Sequence, residues 1–102
     1  MSTFANRACV PSHVLVRFMD SEAVLLNLAS EKYFGLDETG TRMWQLATTS
    51  PSVEVAYREL LGEYDVAPEL LHTHLQELLM MLVENGLLEL LPVENAAASP
   101  AL

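Results

Sequence analysis

The spacing of apolar residues changes once along this chain, near Asp37, and that change sets the layout. Before it, His13–Met19 and Ala23–Ala29 are runs of aliphatic and β-branched residues split by the polar turn Asp20-Ser21-Glu22, the pattern of a β-hairpin. A second polar break, Ser30-Glu31, precedes Lys32-Tyr33-Phe34-Gly35-Leu36, which has the length of a third strand in a meander. From Asp37 the period lengthens to between three and four. Asp37 is a good N-cap, and Met43, Leu46 and Ala47 share a helical face with Trp44 beside them. Ser50-Pro51 repeats the start signal, cap then proline, and Val53, Tyr57, Leu60 and Tyr64 follow as a second stripe. Pro68 opens a third helix running to Asn85 and stopped by Gly86, after which Leu87–Leu91 reads as a short extended return. Strands then helices is an α+β order.

With 102 residues there is room for one core only. The predicted domain covers 13–91, between a flexible N-terminal lead, 1–12, and a flexible Ala/Ser/Pro-rich tail, 92–102. The lead is polar apart from Phe4 and Val10 and has no apolar stretch of signal-peptide type, so a cytoplasmic location is expected. Five basic against fourteen acidic residues give a net charge of −9, which repels phosphate and anionic lipid. Neither nucleic acid nor membrane is an expected partner.

Catalytic and cofactor chemistry finds little to work with. Cys9 is the only cysteine and lies in the lead, where no fixed geometry pairs it with His13, His72 or His74. His72 and His74 are two apart, so on a helix they point about 200° from one another and do not chelate one metal ion. Gly35 and Gly40 lack the GxGxxG spacing, and Asp37-Glu38 would oppose a pyrophosphate. No enzyme activity, metal or cofactor is expected.

The third helix carries more apolar surface than one packed face needs. Leu71, Leu75, Leu78, Leu79 and Leu82 form a core stripe, while Leu70, His74 and Met81 fall on one shoulder and Val83 on the other. The third strand comes last in the meander, so its outer backbone groups are open to a partner strand unless Lys32 and its shortness protect it. Edge and shoulder together form a groove for an extended peptide.

The run Lys32–Trp44, then Ser50-Pro51, then Tyr64-Asp65-Val66-Ala67-Pro68-Glu69 and Leu82-Val83-Glu84-Asn85-Gly86-Leu87-Leu88, resembles the PqqD family over approximately His13 to Leu91. That family includes the precursor-peptide recognition elements of ribosomal peptide natural-product pathways. The resemblance implies a winged-helix-like domain, a three-stranded antiparallel meander followed by three helices. It also implies a leader peptide that adds to the third strand as a further antiparallel strand, in the cleft beside the third helix. Carried onto this chain, the contact positions are Lys32, Tyr33, Phe34, Gly35 and Leu36 on the strand, and Leu70, Leu71, His74, Leu75, Glu77 and Leu78 on the helix, with Met81 adjoining them. Two positions depart from the family pattern. His74 replaces a common acidic residue, which favours a neutral or pH-sensitive contact over a salt bridge. Ala67 replaces a capping Asp, which weakens the third helix's start by about 0.5–2 kcal/mol.

The expected function is therefore a non-catalytic adaptor that captures a precursor leader and presents it to a processing enzyme. Free-standing members of this length resemble the leader-binding subunits of lasso-peptide pathways, where the resemblance implies a transglutaminase-like leader peptidase and a cyclase as partners. Radical-SAM pathways, including that of pyrroloquinoline quinone, are the other setting. The acidic surface is expected to favour basic leaders. The alternatives are a winged-helix DNA-binding regulator, opposed by a third helix with Glu69, Glu77 and Glu84 but no Lys or Arg, and a small homo-oligomer module using the same apolar shoulder.

Overall fold

The structure, a computed structural model, describes residues 3–93. A 3-10 turn, Thr3–Ala5, leads into β1 (Asn6–Cys9), β2 (Val14–Met19), β3 (Glu22–Asn27) and β4 (Lys32–Leu36). Helices α1 (Glu38–Thr49), α2 (Val53–Glu63) and α3 (Pro68–Glu84) follow, and β5 (Glu89–Pro92) closes the described chain. The predicted meander is β2-β3-β4, antiparallel throughout, with Leu25 opposite Val16 on one side and Phe34 on the other. That row faces the helices, because Leu25 is fully buried and Val16 and Phe34 pack against the core. The core is completed by Trp44, Met43 and Ala47 from α1, Val53, Ala56 and Leu60 from α2, and Leu71, Leu75, Leu79 and Leu82 from α3. The α+β architecture expected from the sequence is the one found.

The lead departs from expectation. Instead of a flexible segment, its backbone from Asn6 to Cys9 pairs antiparallel with Glu89–Pro92, making a second, two-stranded sheet. Phe4 is 4% exposed. Its ring stacks on His72 at 3.9 Å and meets Tyr57 edge-on at 5.3 Å. The lead is thus held by two distant partners, β5 and one shoulder of α3, and a local reading of polar residues registers neither. Pro92, expected to begin the tail, ends β5, and the tail from 94 to 102 lies outside the described residues.

The α1–α2 boundary also differs. Ser50 precedes Pro51, whose ring drives it to an extended conformation (φ −92°, ψ 156°), so Ser50 ends α1 instead of capping α2. Ser52 takes over as N-cap, its side chain accepting from Val55 N at 3.2 Å, and Tyr64 is the C-cap of α2 instead of part of its stripe. Asp37 caps α1 as predicted, accepting from Gly40 N at 2.8 Å. Ala67 leaves α3 with no side-chain cap, although Pro68 sits at its first position. Ala67→Asp is therefore expected to stabilise the fold by about 1 kcal/mol, read as a raised urea midpoint at unchanged slope.

Gly86 ends α3 with φ +72°. Leu87 N donates to Leu82 O and Gly86 N to Val83 O, the paired bonds of a Schellman motif. Buried Asn27 ties this end to the sheet: its Nδ2 donates to Asn85 O at 3.0 Å, while its Oδ1 accepts from Ala29 N and Ser30 N in the turn before β4. A Cβ on Gly86 would lie 2.9 Å from Asn27 Nδ2, so this position needs glycine for space as well as for conformation. The turn that launches β4 and the end of α3 are thereby fixed to one another.

Candidate peptide-binding site

In the order β2-β3-β4, β4 pairs only with β3, and no other strand among the described residues lies along its far side. Which of its backbone groups face that open side follows from the alternation of an antiparallel ladder. Leu28 N donates to His13 O, so β3 turns the groups of its even-numbered residues to β2 and those of Ala23, Leu25 and Asn27 to β4. Those three stand opposite Leu36, Phe34 and Lys32. Tyr33 and Gly35 are left with N–H and C=O pointing outward. A Cβ added to Gly35 would meet nothing within 4 Å, so the approach to this edge is open.

Beyond β4 the chain turns at Asp37 into α1, and the first turns of α1 and α3 enclose a hollow of about 170 Å³. Its walls are Thr39 and Met43 from α1, Tyr64 and Val66 from the α2–α3 connection, and Leu70 and His74 from α3. Leu70 is 49% exposed, and His74, Glu77 and Met81 are exposed along the same shoulder. The lead occupies the other shoulder, where His72 meets Phe4 and Met80 Sδ accepts from Thr3 Oγ1. The described N-terminal segment therefore leaves the predicted groove uncovered. His72 and His74 are on opposite sides of α3, as their spacing requires.

The residues predicted for peptide contact divide into two sets. Lys32, Tyr33, Gly35, Leu70, His74 and Glu77 are exposed, and Phe34 and Leu78 are half-buried. Leu36 and Leu75 are buried in the core, so as placed they support the groove from beneath and do not reach a ligand, while Leu71, also buried, lines the hollow. Sequence reasoning missed Thr39, Met43, Tyr64 and Val66 as walls. Val66 offers a signal, a β-branched apolar residue between Asp65 and the Ala67-Pro68 start of α3, and it is 43% exposed. Away from the groove, Arg42 grips Glu63 with two bonds of 2.9 and 2.6 Å and holds its carboxyl below the ordinary range. That contribution to stability is present at neutral pH and lost on acidification, and both side chains are over a third exposed, so it is small.

An α+β domain with an unpaired strand edge and an open apolar helix shoulder has the layout of a module that accepts an extended chain. The chain belongs to the PqqD family: the model of that family, described as coenzyme PQQ synthesis protein D, matches residues 22–88. A solved structure described as TbiB1 in complex with the TbiA(beta) leader peptide is 32% identical, with a TM-score of 0.72 over 79% of this chain and 94% of that one. Another, a lasso peptide synthetase B1 complexed with the leader peptide, is 25% identical, with a TM-score of 0.71 over 81% of this chain and 98% of that one. No curated protein matches the chain.

Proposed function

We propose that this protein is a leader-binding adaptor of lasso-peptide biosynthesis, which captures the N-terminal leader of a precursor peptide and presents it for processing. What supports this reading is the open edge of β4 together with the uncovered shoulder of α3, in a PqqD-family chain similar to two proteins solved with leader peptides. A leader strand laid antiparallel along β4 exchanges backbone bonds with Tyr33 and Gly35. Between those two points, its inward-facing side chain meets Phe34 and the shoulder of α3, and further anchors enter the hollow walled by Met43, Tyr64, Val66, Leu70 and His74. Backbone pairing is blind to sequence, so these anchors select the leader.

The adaptor breaks no bond itself. A transglutaminase-like leader peptidase cuts the held leader and a cyclase acts next, all in the cytoplasm; a radical-SAM enzyme takes that place if the pathway is of the pyrroloquinoline quinone type. The DNA-binding alternative gains nothing from the structure, since α3 carries no Lys or Arg to meet a phosphate. Calorimetric titration with the leader of the associated precursor tests the proposal. One-to-one saturable binding is expected, and absence of binding at a tenfold excess of leader over about 100 μM protein contradicts it.

A further inference from the structure

The face of the β2-β3-β4 sheet turned away from the helices is not a polar surface. By register, Leu15, Leu26 and Tyr33 form one row across the three strands, and Arg17, Val24 and Gly35 form the next. Leu15, Leu26 and Tyr33 of the first row and Arg17 and Val24 of the second border a shallow hollow of about 480 Å³. Leu15 is 54% exposed and Tyr33 73%, so the apolar row runs to the open edge and stops there with its outermost ring unmatched. Both outward-facing backbone positions of β4, Tyr33 and Gly35, have their side-chain positions on this same face. A strand joined to β4 must therefore place its directly opposed residues here, not in the groove beside α3.

The geometry points to a second recognition surface on the leader's outward side: the residue opposite Tyr33 is a large apolar one that extends the Leu15–Leu26–Tyr33 row by a fourth member. This rests on strand addition to β4 and goes beyond it, since it adds a specificity element remote from α3. The residue opposite Gly35, two positions along the leader, meets no side chain on β4, so a bulky apolar group there lies over Gly35 towards Val24. The occupant is argued from continuity. The row ends at the edge where the leader pairs, and cross-strand side chains in adjacent strands necessarily touch. The leader thus presents alternating residues to two apolar surfaces, one on each face of the sheet.

The test is a serine scan of the associated precursor's leader, titrated against the wild-type protein and against Tyr33→Ser. Tyr33 is an exposed edge residue, so this variant is expected to keep its urea midpoint. It should bind the leader about fivefold more weakly, the upper range of one cross-strand pair. One leader position should cost a similar factor with the wild type and almost nothing with Tyr33→Ser, the coupling expected of direct neighbours. If Tyr33→Ser binds as tightly as the wild type while the leader still bonds to Tyr33 and Gly35, the outward surface is refuted and strand addition stands. A leader that does not bind the wild type at all refutes both. A leader-free dimer that Tyr33→Ser dissolves without altering leader affinity would assign the face to a second copy and overturn the inference.

Discussion

Leu70→Asp should lower leader affinity by a factor of about 100 or more and leave the fold intact. Leu70 is half exposed on the groove wall, beside His74 and Val66, so a bound anchor would be packed against it and shielded from water. Replacing an apolar wall with a carboxylate removes that contact and leaves a charge to be desolvated, a loss of the size seen when a central interface contact is destroyed. The fold has little to lose. Position 70 lies in the first turn of α3, where a negative charge is favourable, and the exposed leucine contributes little to the core. Circular dichroism should show an unchanged melting curve alongside the lost binding. Leu78→Asp is a poorer probe, because Leu78 is half-buried against the core and its loss would confuse unfolding with loss of contact. Affinity within threefold of wild type for Leu70→Asp would remove the hollow from the binding site.

The second large effect is on stability and comes from the N-terminal lead. Phe4→Ala is expected to cost about 3–5 kcal/mol in urea unfolding, as much as removal of a central aromatic such as Trp44. Phe4 and Trp44 are buried to similar degrees, at 4% and 2% exposure. Removing the Phe4 ring leaves His72 and Tyr57 facing a void and loosens the segment that delivers β1 to β5. The amides of β1 and β5 should lose exchange protection together, as one cooperative unit. A cost below about 1 kcal/mol would mean that the lead is an accessory to the fold.

The parts of this fold legible in the sequence are those built from near neighbours. The β2-β3-β4 meander follows from alternation and two short polar breaks, α1 from its Asp37 cap, and the end of α3 from Gly86. The β1–β5 sheet is not legible, because its partners are 80 to 86 residues apart and Asn6-Arg7-Ala8-Cys9 has no apolar alternation. Phe4, a lone aromatic in a polar lead, was the one sign that the segment docks. The start of α2 lies two residues beyond the Ser50-Pro51 cap signal because the proline's effect on its predecessor is the stronger constraint.

The candidate site divides the same way. Helical periodicity places Leu70 and His74 on a shoulder and Leu71 and Leu75 in the core stripe, and the family resemblance alone adds those two to the contact positions. Depth depends on what packs above a helix, and that is decided by α1 and α2. Tyr64 and Val66 belong to a connection with no period at all and become groove walls only when α1 and α3 converge. The outward apolar row is legible only once register is known, since Leu15, Leu26 and Tyr33 lie in three separate strands.

Amide hydrogen exchange with and without leader tests the central claim most directly. Strand addition predicts that the Tyr33 and Gly35 amides, which face the open edge, become strongly protected on saturation, while those of Phe34 and Leu36, already bonded to β3, change little. Saturable binding that leaves Tyr33 and Gly35 exchanging as fast as in the free protein would contradict it.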